Sequence, residues 1–159
     1  RLVIPLDLDP ASDSYGNSRI KADRYFAYSG LKHSWYANGV FCNPPYGKIK
    51  NKSQAGMFLE KAIEEVWRFK NCKSVVMLLK VAAGCKWFKT TYRHPYCILH
   101  DKLHFETADG RAKHRTPHGT LLICISRLPQ IRLKFIEVFS PHGTIPGYNS
   151  WGFCAKASS

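Results

Sequence analysis

Two apolar segments on either side of an amphipathic one restrict the folds available to this chain more than any other feature. The run SVVMLLK, apolar from Val75 to Leu79, is typical of a strand covered on both faces, and the earlier run GVFC predicts a second short strand. Between them, apolar residues recur at helical spacing: Phe58, Ala62, Val66 and Phe69. This spacing predicts a helix from about Ser53 to Phe69. A strand, a helix and another strand form a right-handed parallel crossover, so we expect an α/β sheet.

The remaining segments extend this pattern. RLVIPLDLD predicts a buried strand whose carboxyl end reaches a ligand crevice, and GTLLICIS predicts another central strand. CKWFKTTYR indicates a second short helix, and YCILH and KLHF indicate strands or a hairpin. LPQIRLKFIEVF fits a strand or a helix, and Pro129 near its start, with apolar residues at helical spacing, favours a helix. The polar segment from Glu106 to Pro117 is turn-rich and predicts an exposed loop.

Length and composition indicate one domain over residues 1–159. A chain of 159 residues with 45% hydrophobic content can bury a single core. The first residue is Arg1 rather than Met, and the sequence enters an apolar run at once, so we expect a truncated amino terminus.

The charge balance favours a polyanionic partner. The chain has 24 Lys and Arg against 11 Asp and Glu, a net charge of +13 before histidine is counted. Each phosphate that a basic side chain neutralises releases condensed counterions, which favours nucleic acid. A solvated basic surface is the alternative. No apolar run approaches the roughly 20 residues that span a bilayer, and no leader opens the chain, so we expect a soluble protein with no membrane partner.

The cysteines and histidines predict no disulfide framework and no metal site. Six cysteines lack any C-x-x-C pair, and several lie in apolar runs such as LLICI, which predicts reduced core residues in an intracellular protein. Four residues have a spacing that suggests zinc: His94, Cys97, His100 and His104. Cys97, however, belongs to the apolar run YCIL, and no second ligand pair is suitably spaced.

The stretch NGVFCNPPYGK places an amide, two prolines and an aromatic ring directly after a predicted strand. Proline fixes φ and restricts the residue before it, so residues 43–46 predict an extended, nearly rigid loop. The Asn43 side-chain oxygen and the Pro44 carbonyl can each accept one N–H of an amine conjugated to a planar ring, while the Tyr46 ring stacks on it. Orientation against a methyl donor would then supply most of the catalysis, and a base within a duplex would first be flipped out. A strand-ending turn without function is the alternative.

This stretch resembles motif IV of amino-methyltransferases, and the wider chain resembles the phage-type DNA N6-adenine methyltransferase family. LDLDPAS, then RYF, then GL at Gly30-Leu31 with Trp35, and then VFCNPPYG follow the family's order. Downstream, SVVMLLKVAAGCKWF, PHGTLLICI and FIEVFSPHG resemble its later strands and its closing helix and turn. The chain has no G-x-G donor loop, and its polar segment departs from the family's Gly-Arg-x-x-Phe order.

The resemblance implies a Rossmann-like class I methyltransferase with a mostly parallel central sheet and flanking helices. It implies S-adenosylmethionine as donor and the N6 amino group of adenine in DNA as acceptor, the activity of a site-specific DNA-methyltransferase. The implied catalytic residues are Asn43, Pro44, Pro45 and Tyr46. The implied donor-binding residues are Asp7, Asp9, Pro10, Ala11 and Asn43. For Asp7, a strand-end acid that caps a turn is an equal alternative.

Two basic segments are candidates for contact with nucleic acid beside the flipped base. Together with the stacking ring they comprise Tyr46, Lys48, Lys50, Lys52, Arg111, Lys113 and Arg115. Their alternative is a solvated charged surface. For Trp35 we expect packing, whereas Trp87 fits packing or function equally.

Other acceptors carry the same chemistry. An adenine in RNA and a glutamine side chain in a protein both present two N–H donors to an NPPY loop. A non-catalytic nucleic-acid-binding module with the same fold is a third alternative. The sequence leaves open the choice between DNA and RNA, the recognition sequence and the oligomeric state.

Overall fold

A computed structural model describes residues 5–103 and 118–148, together with short strands at residues 105–106 and 112–113. The strands are, in chain order, β1 (Leu8–Asp9), β2 (Arg24–Tyr25), β3 (Ala37–Cys42), β4 (Lys48–Ile49), β5 (Lys52–Ser53), β6 (Cys72–Lys80), β7 (Tyr96–Leu99), β8 (Phe105–Glu106), β9 (Ala112–Lys113), β10 (Thr120–Ser126) and β11 (Gly143–Thr144). The helices are α1 (Ser14–Ile20), α2 (Gln54–Ile63) and α3 (Pro129–Phe139). A π-helical segment, Glu64–Arg68, extends α2, and a 3-10 helix spans Lys86–Arg93.

Within the described residues, seven strands form one mixed sheet in the order β11-β7-β10-β6-β3-β1-β2. The strands β2, β1, β3 and β6 are parallel, with Val40 opposite Val75 in the register of β3 and β6. The other half is antiparallel: β10 pairs with both β6 and β7, and β7 pairs with β11. The mixed α/β class is therefore confirmed, while a mostly parallel sheet was predicted and only one half is parallel. Between β7 and β10 the described residues form two short strands and no crossover helix, which parallel neighbours require.

The long helix was predicted correctly, and its start has a clear physical cause. Ser53 caps α2, because its hydroxyl oxygen accepts a hydrogen bond from the Gly56 backbone N–H at 3.3 Å. Pro129 occupies the first turn of α3, which confirms the helical interpretation of that segment. The helix α1 was not predicted, since none of its residues is buried and it therefore lacks an apolar period. It is capped instead by Asp13, whose carboxylate accepts from the Gly16 N–H at 2.7 Å.

Two hydrophobic clusters occupy the two faces of the sheet. Alternate residues of β6 separate: Val75, Met77 and Leu79 belong to the cluster that contains α2, and Val76 and Leu78 to the cluster that contains α3. This alternation explains the uninterrupted apolar run of β6, because a central strand covered on both faces has no polar side. The α2-side cluster, the one that contains α2, lies on the face of the sheet that also carries the candidate site.

Trp35 and Trp87 contribute to packing. Trp35 is fully buried in the α2-side cluster, which confirms its predicted packing role. Trp87 packs against α2 at Gly56, where a Cβ would lie 2.9 Å from the indole Cγ. The small residue at this position lets the 3-10 helix approach α2 closely.

The cysteines of the described residues are free thiols, and four of the five are buried. The strands β8 and β9 pair across the segment that was predicted as an exposed loop, so part of that loop is a short antiparallel hairpin. No helix within the described part of the chain combines the length and apolarity needed to cross a bilayer.

Candidate active site

A cleft of about 1040 Å³ opens where the parallel strands end. The chain leaves β1 at Pro10, β3 at Asn43 and β6 at Lys80, and all three residues line the cleft. Because carboxyl ends of parallel strands meet at one edge of a sheet, residues far apart in sequence come together there. The cleft lies at the upper end of the roughly 300–1,000 Å³ typical of small-molecule sites.

The predicted catalytic loop forms one wall of this cleft. Asn43, Pro44, Pro45 and Tyr46 all line it, directly after the buried strand-end residue Cys42. The Tyr46 hydroxyl donates to the Asn43 side-chain oxygen over 3.5 Å, a long hydrogen bond. Burial, and secondarily the nearby Cys42, raises the pKa of the Tyr46 phenol, so the ring is neutral at physiological pH. The loop thus contributes an amide side chain, a neutral ring and two prolines to the wall of the cleft.

Lys80 is a cleft residue that the sequence did not single out. Its ammonium nitrogen lies 5.8 Å from the centroid of the Tyr46 ring, within the range of a cation–π contact. The side chain is half-buried, and among the described residues it has no acidic partner. Its position as the last residue of a predicted central strand is the one signal that the sequence offered.

The predicted donor-binding element forms the second wall. Pro10 and Ala11 line the cleft, whereas Asp9 lies beneath them and is buried. One carboxylate oxygen of Asp9 accepts a hydrogen bond from the Ala11 N–H at 3.1 Å. Burial raises the pKa of Asp9 to about 6, against the opposing effect of its hydrogen bonds with Ala11 and Ser12. Asp9 therefore holds the shape of the wall and does not form its surface.

Asp7 lies away from the cleft. Its carboxylate accepts hydrogen bonds from the backbone N–H of Asn38 at 2.6 Å and from the Asn38 side-chain amide at 2.9 Å. Both residues lie near the amino ends of their strands, and Asp7 is not among the residues that line the cleft. The structure therefore joins Asp7 to the start of β3 and does not bring it to the other predicted donor-binding residues.

A loop before β3 completes the cleft, and Gly30 at its centre has a steric requirement. A Cβ on Gly30 would collide with the carbonyl oxygen of Pro10, so only glycine allows the two segments to approach this closely. The indole N–H of Trp35 donates to the Gly30 carbonyl at 2.9 Å and fixes the loop from the core. Phe26 and Tyr28 from the same loop line the cleft. In the sequence, Gly30 and Trp35 were points of resemblance, with packing expected for Trp35, and neither was assigned to the site.

The two predicted basic segments differ in what the structure shows of them. Lys48, Lys50 and Lys52 are exposed on the hairpin formed by β4 and β5, which follows the catalytic loop directly. Lys113 lies in β9, and Arg111 and Arg115 lie outside the described residues. The first segment is therefore beside the cleft, and the predicted contacts of the second stay predictions.

The residues with zinc-like spacing have other roles where they are described. The Cys97 thiol donates to the Phe139 carbonyl at 3.4 Å, and a His100 ring nitrogen lies 3.2 Å from the Thr144 hydroxyl. Burial, with Arg132 and Arg93 nearby, lowers the pKa of His94. Among residues 5–103 and 118–148, no group of three or more His, Cys, Asp or Glu side chains is arranged to hold a metal ion. His104 lies outside the described residues.

Comparison with known proteins gives a match to a family model. The family model described as DNA N-6-adenine-methyltransferase (Dam) matches residues 5–140, most of the chain, and no curated protein matches it. This chain belongs to the Dam family. The match confirms the predicted family and identifies the class of enzyme as a DNA adenine methyltransferase, with DNA as the implied substrate. Both walls of the cleft and the strands that carry them lie within the Dam-family match.

Proposed function

We propose that this chain transfers a methyl group from S-adenosylmethionine to the N6 amino group of adenine in DNA, acting on a base flipped out of the duplex. The observation that carries the proposal is the convergence of two segments on one cleft. The Asn43-to-Tyr46 loop and the Pro10-Ala11 segment are more than 30 residues apart in sequence, yet both line it. A methyl transfer needs donor and acceptor side by side, and this cleft has a candidate wall for each.

The residues of the donor wall suit a nucleoside with a charged tail. Pro10 and Ala11 line the cleft, Pro10 buried and Ala11 partly exposed, and Gly30 brings a second backbone segment against the Pro10 carbonyl. Apolar side chains of Phe26, Leu31 and Phe58 line the cleft and can pack on a purine ring. S-adenosylmethionine, when bound, supplies an electrophilic methyl group on a sulfonium.

The residues of the acceptor wall suit a planar amine. The Asn43 side-chain oxygen and the Pro44 carbonyl can accept the two N–H groups of N6, while the Tyr46 ring stacks on the base. The long hydrogen bond from Tyr46 to Asn43 would give way, since an incoming N–H is a better-placed donor for the same oxygen. Drawn toward these two acceptors, the nitrogen lone pair leaves conjugation and turns toward the methyl donor. The positive charge that develops on N6 is stabilised by the same two oxygens until a proton is lost to solvent.

The charge of the chain and the position of its lysines support DNA as the acceptor. The net charge is +13, and the hairpin with Lys48, Lys50 and Lys52 follows the catalytic loop after a single glycine. Phosphates that flank a flipped base would lie near that loop. We further propose that the enzyme is site-specific and intracellular, the latter from the cysteine pattern of the sequence.

The proposal is tested by incubating DNA with isotope-labelled S-adenosylmethionine, digesting it to nucleosides and detecting the methylated base by mass. We expect label in N6-methyladenine. In Asn43→Ala the rate should fall by about 10²- to 10³-fold, because one of the two acceptors that stabilise the developing charge is lost.

A matched control is Asn38→Ala, which removes an asparagine side chain from the other end of β3 and should leave the rate within about threefold of the wild-type rate. Label in RNA alone, or in protein glutamine, would overturn the DNA assignment and retain the loop. Equal rates for Asn43→Ala and Asn38→Ala would overturn the role of the loop.

A further inference from the structure

We propose that Ile49, at the tip of the hairpin after the catalytic loop, inserts into duplex DNA and fills the space that the flipped adenine vacates. The inference rests on the proposed function and adds to it the residue that stabilises the opened duplex. It comes from the hairpin of β4 and β5, whose turn geometry and one apolar side chain have no role in the methyl transfer described above.

The hairpin is held rigidly beside the site. Gly47, with φ +134°, links it to Tyr46, and the Gln54 N–H donates to the Gly47 carbonyl at 3.0 Å to close its base. Ser53 at its other end caps α2. The turn residues Lys50 and Asn51 both have positive φ, 47° and 64°, as a tight two-residue hairpin turn of type I′ requires. The hairpin is thus tied at its base both to the catalytic loop and to α2.

Ile49 is the single apolar side chain in the basic stretch from Gly47 to Ser53. It is 46% exposed and also lines the cleft, so it lies at the rim, partly in solvent. Exposed isoleucines are ordinary when they are scattered. This one differs in its position, because it is three residues from Tyr46, the ring assigned to the flipped base.

The charges around Ile49 suit the groove and backbone of DNA. Lys52 is its cross-strand partner, and Lys48 and Lys50 are its neighbours in the chain. All three lysines are exposed, and within the described part of the chain none of them forms an ion pair. Three unpaired ammonium groups around one apolar side chain can hold phosphates while the apolar group enters between base pairs.

The energetic need for such a residue follows from base flipping. When a base leaves the stack, its neighbours lose their stacking contacts and the gap fills with water or closes. Apolar side chains that enter between base steps, isoleucine among them, restore part of that contact. The β-branched side chain of isoleucine has few rotamers, so ordering it in the gap costs little entropy.

The experiment compares methyl transfer to two duplexes, one with the target adenine paired to thymine and one with the same adenine mispaired. Ile49→Ala should lower kcat/KM on the paired duplex by roughly 10-fold and on the mispaired duplex by threefold or less, since a mispaired base is already easier to extrude. Ile49→Leu should restore most of the rate on paired DNA. Leu133→Ala, which truncates a similarly exposed leucine on α3, is the matched control and should change neither rate.

Equal losses on the two duplexes would overturn the inference, and so would a weaker apparent affinity for S-adenosylmethionine without any dependence on pairing, because Ile49 would then be a wall of the donor site. Absence of transfer by the wild-type enzyme to either duplex would contradict the proposed function itself. The wild-type measurement thus separates failure of the proposed function from failure of the role of Ile49.

Discussion

The parallel and antiparallel halves of the sheet share β6 but differ in the length and continuity of their strand pairing. On the antiparallel side, β6 and β10 pair without interruption from Thr120 opposite Lys80 to Ser126 opposite Ser74. On the parallel side, β1 is only two residues long, and its register with β3 extends through a single pair, Leu8 with Val40.

The difference shows how one sheet combines a scaffold with a site. The antiparallel half is a continuous ladder of hydrogen bonds covered by α3, and β10 is buried along its whole length. The parallel strands end early, and the chain that leaves them forms the walls of the cleft at Pro10 and Asn43. We expect changes in the two halves to separate stability from activity.

The largest expected effect is on the scaffold. Phe135 is buried in α3, belongs to the hydrophobic cluster on the face of the sheet opposite α2, and packs against Phe139 with ring centroids 4.9 Å apart. Phe135→Ala should lower the free energy of unfolding by about 3–5 kcal/mol, because it leaves a cavity in the core. Denaturant titration measures this loss, and kcat and KM of the folded enzyme at low temperature should stay unchanged.

The control on the same helix is Leu133→Ala, which removes a side chain that is 57% exposed. Its effect on the free energy of unfolding should be within about 0.5 kcal/mol. A fall in kcat for the fully folded Phe135→Ala variant would show that the two halves are coupled, and would contradict the expected separation of stability from activity.

A smaller effect is expected where the cleft wall meets the core. The pKa of Asp9 is raised to about 6, so the folded state binds its proton more tightly than the unfolded state does. The free energy of unfolding should therefore fall as the pH rises from about 4 to about 6 and keep that penalty at higher pH. Asp9→Asn removes the charge and keeps an oxygen for the Ala11 N–H, so it should stabilise the fold at pH 7.5 by up to about 3 kcal/mol and by little at pH 4.

The measurement is the difference in unfolding free energy between variant and wild type at both pH values, which cancels the other titrating groups. Asp13→Asn is the control, since asparagine and aspartate cap a helix about equally well. A variant that is no more stable at pH 7.5 than at pH 4, relative to wild type, would show that the buried carboxyl carries no penalty.

The smallest effect is expected at the junction of the two halves. Lys80→Met keeps the length of the side chain and removes the charge beside the Tyr46 ring. We expect kcat/KM for methyl transfer to fall by roughly 3- to 10-fold, because a cation–π contact that orients the ring is lost, with the free energy of unfolding little changed.

Lys73→Met is the matched change at the exposed opposite end of β6 and should leave kcat/KM near the wild-type value. If both lysine variants lose activity equally, the general positive charge matters and the position beside Tyr46 does not.

The sequence predicted some elements of the fold well and missed others for identifiable reasons. The helix α2 was predicted because its apolar residues recur at helical spacing. The strand β6 was predicted because an uninterrupted apolar run of this length is typical of a strand covered on both faces. The helix α1 was missed because it buries no side chain, and the antiparallel placement of β10 was missed because an apolar run does not encode its direction. The π-helical extension of α2 also left no mark on the apolar spacing.

The candidate site, like the fold, was predicted only in part. The loop from Asn43 to Tyr46 could be predicted from its residues because two prolines restrict the backbone locally. Lys80 could not be predicted, since its place beside Tyr46 depends on the register of β3 and β6. Asp9 was predicted to bind the donor, but it lies buried beneath the Pro10-Ala11 segment, and burial is not revealed by sequence spacing.

By itself, the sequence determined the chemistry that this chain can offer: a rigid amide-and-ring loop after a strand, an excess of positive charge and a core for one α/β sheet. These follow from local stiffness, charge and apolar periodicity, which act between near neighbours in the chain. Only the tertiary structure decided that the loop faces Pro10 and Ala11 across one cleft, that Gly30 must lack a side chain and that Ile49 stands at the rim. Such contacts join residues distant in sequence, and their geometry is set by the packing of the whole sheet against its helices.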